Sequence, residues 1–454
     1  MKVLMLGWDF APALSGGVGT ACRGIATALV RSGAEVLFVQ PKVHEEGEAS
    51  GVRWIATDRI QLAPSPSGAR SSARAPALDP PENALRLLTL DSPLQPYFSP
   101  QEYEARVRSL LARPAPLARN PLAIGLPRKR RGRARLEPGA PATAVLAAAP
   151  WASALEDEVE RFARAVLQVA GTERFDVIHA HDWMSFPAGI LVHEATGKPL
   201  VCHFHSTELD RRPGSPEDTA RAVEQAALHT AERVVCVSQE SARVLRRNYA
   251  VETAKLRVVY NAFGPLDGPG PVARKDPSAP PEVLFLGRLT RQKDPLTFLE
   301  AAARVHAREP RVRFSIVGSG ELYPELVAKA RELGLASAVR FIGFVSGAEL
   351  AQSYARADAY VMPSVSEPFG LTPLEAAALG VPVIVSRTAG VTEVLRSCLK
   401  VEPGDAEGLA EKILALLARP ELRRHLSEQG LREVRRLRWD RPARELLGIY
   451  DEVA

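Results

Sequence analysis

The sequence predicts an α/β protein of two Rossmann-like, doubly wound domains facing a cleft, and three observations carry that expectation. Short β-branched runs alternate with stretches of helical period along most of the chain, the pattern of βαβ units around parallel sheets. The length, 454 residues, exceeds what a single hydrophobic core usually serves. A stretch with too much Gly and Pro for either element, "NAFGPLDGPGPVARKDPSAPPE" from Asn261 to Glu282, splits the elements into two series.

The first series places strands at Val3–Leu6, Val36–Val39, Val177–Ala180, Leu200–Phe204, Val234–Val237 and Val258–Tyr260. The second places them at Val283–Leu286, Phe314–Val317, Arg340–Ile342, Ala359–Met362 and Pro382–Val385. The expected domains are 1–262 and 282–435, joined by a linker over 263–281. A final helix over 436–454 is expected to cross back to the first domain, with Pro442 of "WDRP" kinking the helical stretch before it. In such a pair of domains, strand C-termini and helix N-termini meet at a gap that suits a ligand.

Composition is that of a soluble enzyme-sized chain, 46% hydrophobic and 24% charged, with no apolar run long enough to span a bilayer. The apolar run Val3–Leu6 is too short for the core of a signal peptide. Cys22, Cys202, Cys236 and Cys398 are scattered without paired or metal-ligand spacing, which suits reduced thiols and a cytoplasmic location. The formal charge of +5 invites a nucleic-acid reading, but ten Lys/Arg and no Asp/Glu lie between Ala105 and Leu136; without them 48 basic residues face 53 acidic ones. That segment, ending in "RKRRGRAR", sits inside a Pro-, Ala- and Arg-rich insertion over about 63–150. It is expected to be a solvated loop, with weak contact to an anionic membrane surface as the alternative and no nucleic-acid partner.

Four stretches carry the candidate chemistry. After the first strand, Gly16, Gly17 and Gly19 precede a helix, where glycine allows close backbone approach and free N–H groups favour an anion such as a diphosphate. In "VLFLGRLTRQKDPLTFLEA", Arg288 and Lys293 follow a strand and precede a helix with Asp294 as N-cap and Pro295 at its first position. Two cations so placed would neutralise a diphosphate leaving group without a metal ion. "HAHDW" and "HFHST" offer His179, His181, Asp182, His203 and His205; alternation puts His203 and His205 on one side of their strand. Their spacing is poor for zinc, and one or two are expected to line the cleft and hydrogen-bond a hydroxylated ligand.

The fourth stretch, "SEPFGLTPLEA", sets Glu367 in a Pro- and Gly-shaped loop and Glu375 in the helix that follows. The spacing predicts a capping box, with Thr372 as N-cap, Pro373 at N1 and Glu375 at N3. Glu367 stands outside that box. One carboxylate would meet ligand hydroxyls from the loop and the other a second hydroxyl pair. The N–H groups of Gly370, Leu371 and Thr372 are left for phosphate oxygens. Polyol and phosphate contacts together describe a nucleotide sugar, a substrate rather than a cofactor.

Glu367 and Glu375 spaced as E-x7-E, with "GRLTRQKD", "VGSGEL", "FIGFV" and "HAHDW", resemble the retaining glycosyltransferases of GT-B fold. "GWDFAPALSGGVGTAC" and "HDWMSFPAGI" are most similar to the glycogen/starch synthase-like, group 1 branch. The resemblance covers the chain apart from about 63–88 and 112–143. It implies that Arg288 and Lys293 bind the donor diphosphate, that Glu367 contacts the donor sugar and Glu375 the ribose, and that His205 touches the sugar. Gly16, Gly17 and Gly318 would pack on the donor, Gly343 to Val345 would lie near the base, and Phe369 would complete the donor loop. His181, Asp182, Asn261, Thr388 and Gly390 would lie on the acceptor side. No metal and no enzyme nucleophile are implied. The chain departs from the bacterial glycogen synthase pattern at Leu14 and Thr20, where lysine and aspartate are usual, and at Asn261-Ala262, where asparagine-glycine is usual. The functions so implied are hexosyl transfer from ADP- or UDP-glucose to an α-glucan, transfer to a lipid-linked or envelope acceptor, or silent binding of a sugar nucleotide.

Overall fold

The computed structural model describes residues 1–8, 17–41, 52–56, 85–90, 154–212, 219–264 and 278–454. Gly16, the basic segment 105–136 and linker residues 265–277 lie outside them. The chain forms two compact units: Met1–His203, Glu217–Val234 and Leu446–Ala454 form one, Phe204–Pro216 and Val235–Glu445 the other.

One sheet has eight strands: β1 (Lys2–Leu6), β2 (Glu35–Pro41), β3 (Val52–Ala56), β4 (Leu85–Leu90), β5 (Val177–His181), β6 (Leu200–Phe204), β7 (Arg233–Cys236) and β8 (Leu256–Val258). Their order is β3-β4-β2-β1-β5-β6-β7-β8. β1 pairs in parallel with both β2 and β5. β3 and β4 are not among the expected strands, and β4 lies inside the segment expected to be an insertion loop; its "LRLLTL" run is a parallel partner of β2. β8 ends two residues earlier than expected.

The second sheet has six strands: β9 (Glu282–Leu286), β10 (Arg313–Val317), β11 (Val339–Gly343), β12 (Ala359–Met362), β13 (Val383–Ser386) and β14 (Leu399–Val401). All its pairings are parallel, and the order β11-β10-β9-β12-β13-β14 is the doubly wound order. Side chains alternate between two buried clusters. Val283, Phe285, Phe314, Ile316, Val361 and Ile384 enter one, while Leu284, Val317, Tyr360, Met362, Val383 and Val385 enter the other. Both faces are therefore covered, which is why these strands read as apolar runs rather than as alternating patterns.

The helices are α1 (Gly17–Arg31), α2 (Ala154–Ala170), α3 (Phe186–Thr196), α4 (Glu208–Arg211), α5 (Thr219–Thr230), α6 (Gln239–Tyr249), α7 (Pro295–Arg308), α8 (Tyr323–Glu332), α9 (Gly347–Arg356), α10 (Thr372–Ala378), α11 (Ala406–Ala418), α12 (Pro420–Val434) and α13 (Asp440–Asp451). Pro442 does not kink a continuous helix. α12 ends at Val434 and a new helix begins at Asp440, so Pro442 sits in a first turn, where its missing N–H costs nothing. Among the described residues no helix is long and apolar enough to cross a membrane.

Candidate active site

In the six-stranded sheet the strand order reverses between β9 and β12, and such a switch point opens a crevice outside the strand C-termini. The loop after β9 carries Arg288 and Lys293; the loop after β12 carries Glu367. The two loops meet there: the Lys293 ammonium donates to Glu367 Oε2, and Ser364 Oγ donates to the same oxygen at 3.4 Å. Their side chains are 19% and 8% exposed, so the pair is shielded but reachable. Arg288 is held on its loop by a 3.4 Å contact from Nη2 to Gln292 Oε1. Gln292 is itself buried, and its carbonyl accepts from the Val365 N–H at 2.9 Å. It therefore ties both loops together, a role its sequence position did not reveal.

The Lys293 loop leads into α7 as expected. Asp294 is its N-cap, accepting from the Thr297 N–H at 3.2 Å, with Pro295 opening the helix. Asp294 adopts φ +51°, a conformation more tolerable for Asp than for most residues.

The Glu367 loop is fixed by its own carbonyls. Ser386 Oγ donates to Ser364 O at 2.6 Å, the Gly390 N–H to Glu367 O at 2.9 Å and the Val391 N–H to Phe369 O at 2.7 Å. Ser238 Oγ and Ser241 Oγ donate to Pro368 O at 2.7 and 3.3 Å. Glu393 in turn caps α6, accepting from the N–H groups of Gln239 and Glu240 at 2.9 and 3.0 Å. Gly390 is required by closeness: a Cβ there would lie 2.0 Å from Pro368 O and 2.7 Å from Ser238 Cβ. Gly318, after β10, has φ +133°, and a Cβ on it would meet Gly287 O at 1.9 Å. The loops after β9 and β10 thus touch backbone to backbone.

The expected capping box at α10 is not formed. The N-cap is Leu371, and no side chain caps it. Two buried tyrosine hydroxyls explain the difference, because each needs an acceptor. Tyr360 donates to Thr372 Oγ1 and Tyr354 to Glu375 Oε2, both at 2.7 Å. Burial, reinforced by the nearby Glu375 charge, raises both tyrosines well above the usual phenol range, so both hydroxyls stay protonated donors. Glu375 is thereby aimed by Tyr354 of α9 rather than by its own helix terminus, while Tyr360 of β12 engages Thr372. Phe369 and Leu371 are buried, whereas Gly343 and Val345 are partly exposed.

The histidines divide between the units. Pairing of β5 with β6 brings His179, His181 and His203 together, which their spacing along the chain did not disclose. The ring nitrogens His179 Nε2 and His203 Nδ1 lie 3.2 Å apart, and the rings of His181 and His203 stack at 5.1 Å. Tyr450 Oη is 2.6 Å from His179 Nδ1. The three imidazoles present nitrogens within 4.8 Å of one another, closer to a ligand set than the sequence pattern suggested. Asp182 turns the chain at φ +60°. His205 is buried but lies one residue past the end of β6, so the strand alternation invoked for it does not apply. Gly17 opens α1, Asn261 is buried and Thr388 is exposed. All four cysteines are free and buried.

Two family descriptions match the chain: "glycosyl transferases group 1" over residues 272–433 and "glycosyltransferase family 4" over residues 127–263. A D-inositol 3-phosphate glycosyltransferase of Catenulispora acidiphila is 32% identical over 302 residues, 61% of this chain and 70% of that protein. The chain belongs to the group 1 glycosyltransferases. A glycogen synthase of Mycobacterium tuberculosis is 30% identical over 264 residues, covering 56% of this chain and 64% of that one. Among solved structures, HepE of Anabaena in complex with UDP and glucose superposes with a TM-score of 0.63 over 99% of both chains at 17% identity. This likeness concerns the fold, which is GT-B. The switch-point loops of this group 1 glycosyltransferase are therefore those of a transferase.

Proposed function

We propose that this glycosyltransferase moves a hexose, with retention, from a nucleotide sugar such as ADP- or UDP-glucose to an α-glucan. The observation that carries the reading is the Lys293–Glu367 pair at the switch point, on a loop whose carbonyls are clamped. A cation and a carboxylate fixed side by side match a donor that presents a diphosphate next to a polyol. Arg288 and Lys293 neutralise the diphosphate as negative charge builds on it, the effect expected of preorganised cations at a leaving group. Glu367 accepts from hydroxyls of the donor sugar, Glu375 from the ribose, and the N–H groups of Gly370, Leu371 and Thr372 face phosphate oxygens. The glycogen synthase relative and the UDP-bound structural neighbour support the choice of donor and acceptor.

The step proceeds on one face of the sugar. The acceptor oxygen forms its bond to C1 as the C1–O bond to the diphosphate breaks. The bonding pair leaves with the phosphate oxygen, which also receives the acceptor's proton. No residue forms a covalent intermediate.

The test is a nucleotide-release assay crossing ADP-, UDP- and GDP-sugars with glycogen, maltooligosaccharides and lipid extract. Release from a glucose donor only when glucan is present is the expected result. Release only with lipid would replace the glucan acceptor by an envelope one, and failure with every pair would leave a silent binder.

A further inference from the structure

Beside Glu367 lies a small cavity of about 120 Å³, and its lining includes Asp210, Glu240, Ser241, Ser366, Glu367 and Thr388. At roughly 30 Å³ per water it has room for about four waters, enough for one side of a sugar ring. Its polar side chains are carboxylates and hydroxyls, set beside Val244, Val365 and Pro368, and among the described residues no Lys or Arg lines it. The nearby cations are already engaged: Lys293 with Glu367, Arg243 with Glu240, and Arg211 and Arg212 with Glu208.

Asp210 is fixed there. It is 5% exposed, accepts from the Thr207 N–H and hydroxyl at 2.7 and 2.8 Å, and accepts from Ser366 Oγ on the Glu367 loop at 2.6 Å. Its carboxylate thus helps place that loop as well as lining the cavity. A carboxylate has about four lone-pair sites, so further hydroxyl donors can be accommodated. Glu240, 29% exposed, sits at the N-terminal end of α6.

We propose that this cavity seats the acceptor, and that Asp210 and Glu240 make the enzyme select an uncharged sugar or polyol over its phosphate ester. The proposal rests on the donor reading given above, with Glu367 at the donor sugar. An uncharged sugar brings O–H donors to the carboxylate oxygens. A phosphate monoester brings acceptor oxygens and a charge of about −1.5 to −2 at pH 7, facing a wall on which, among the described residues, the side-chain donors are hydroxyls. The Arg or Lys contacts that phosphate recognition employs are not found among the described lining residues.

The experiment measures kcat/KM for nucleotide release with matched acceptors: myo-inositol against inositol 3-phosphate, fructose against fructose 6-phosphate, and maltotriose as a neutral oligosaccharide. At least one neutral acceptor is expected to exceed its phosphate by tenfold or more, or maltotriose to exceed both phosphates by that margin. Glu240→Lys should narrow that ratio at least fivefold by improving the phosphate member, and the exposed Thr388→Lys should act in the same direction. UDP and ADP titrations of each variant check that the nucleotide site is still folded. Equal or better use of the phosphate esters, transfer to no neutral acceptor, or a ratio unmoved by both substitutions would each overturn the proposal while leaving the donor reading intact. Absence of nucleotide binding and release with every donor would instead overturn the donor reading, and this proposal with it.

Discussion

Lys293 cannot serve a diphosphate and Glu367 fully at the same time, and Glu367→Gln separates the two demands. Without ligand the ammonium is held by the carboxylate. A charge-assisted hydrogen bond contributes roughly 1.5–3 kcal/mol, and with the lysine side chain 19% exposed solvent screening argues for the lower part of that range. Neutralising Glu367 spares an incoming nucleotide diphosphate that competition, so Glu367→Gln should bind UDP or ADP tighter by about 1 kcal/mol, roughly fivefold. The same substitution removes the carboxylate proposed above to meet the donor sugar, so turnover should fall about a hundredfold or more. Isothermal titration with UDP and ADP, alongside the release assay, reads both effects. Weaker nucleotide binding in Glu367→Gln would refute the competition, and near-normal turnover would remove Glu367 from the chemistry.

Other perturbations follow from the same geometry. Lys293→Ala should lower turnover by two to three orders of magnitude if the cation supplies about 3–4 kcal/mol at the leaving group, measured as kcat with saturating donor. Gly390→Ala places a methyl group 2.0 Å from Pro368 O; displacing the Glu367 loop by about 1 Å should reduce kcat/KM about a hundredfold, and activity within twofold of the parent would show that the clamp is dispensable. Tyr354→Phe removes the hydroxyl that aims Glu375 and should raise the donor KM about fivefold, the worth of roughly one hydrogen bond, with little change in kcat. Burial raises the Cys236 thiol from 9.0 to about 12 and Cys398 to about 11. Both contributions are fully present below pH 9 and decline as pH rises towards those values, because only the unfolded chain releases the protons easily. Urea midpoints should therefore fall between pH 9 and 11, and less steeply in Cys236→Ala.

In the second unit β9, β10, β12 and β13 were legible because each is buried on both faces and reads as an apolar run, whereas the three-residue strand β14, largely half-buried, is absent from the expected set. Arg288, Lys293 and Glu367 stand out in the sequence as candidates because a cation or carboxylate at a strand C-terminus has few structural reasons to be there, and the structure brings Lys293 and Glu367 into contact. What tertiary structure alone supplies is less visible. The contact between Lys293 and Glu367 crosses 74 residues of sequence, and Ser238 reaches Pro368 across 130. Serines are common turn residues, so nothing marked Ser238, Ser241 or Ser386 as clamps. β4 was hidden by Pro- and Ala-rich neighbours. The expected capping box failed, since its spacing says nothing of Tyr354 and Tyr360 arriving from other elements to donate to Glu375 Oε2 and Thr372 Oγ1 respectively.

That failure bears on how the site works. A helix-capping glutamate would be spent on its own backbone, whereas Glu375 receives a hydroxyl from a tyrosine that burial keeps protonated, which fixes its position. The loop before it follows the same logic: the carbonyls of Ser364, Glu367, Pro368 and Phe369 are each taken by a donor from elsewhere in the unit, three of them supplied by the segment after β13 or by α6. The Glu367 loop is thus fixed through its backbone, while the carboxylate itself is met by the side chains of Lys293 and Ser364 and lines the cavity. Preorganisation of this kind places the ordering cost in folding instead of in each turnover. It also predicts where variation in specificity can be tolerated: residues that line the cavity without clamping a carbonyl, Glu240 and Thr388 above all, can change without moving Glu367.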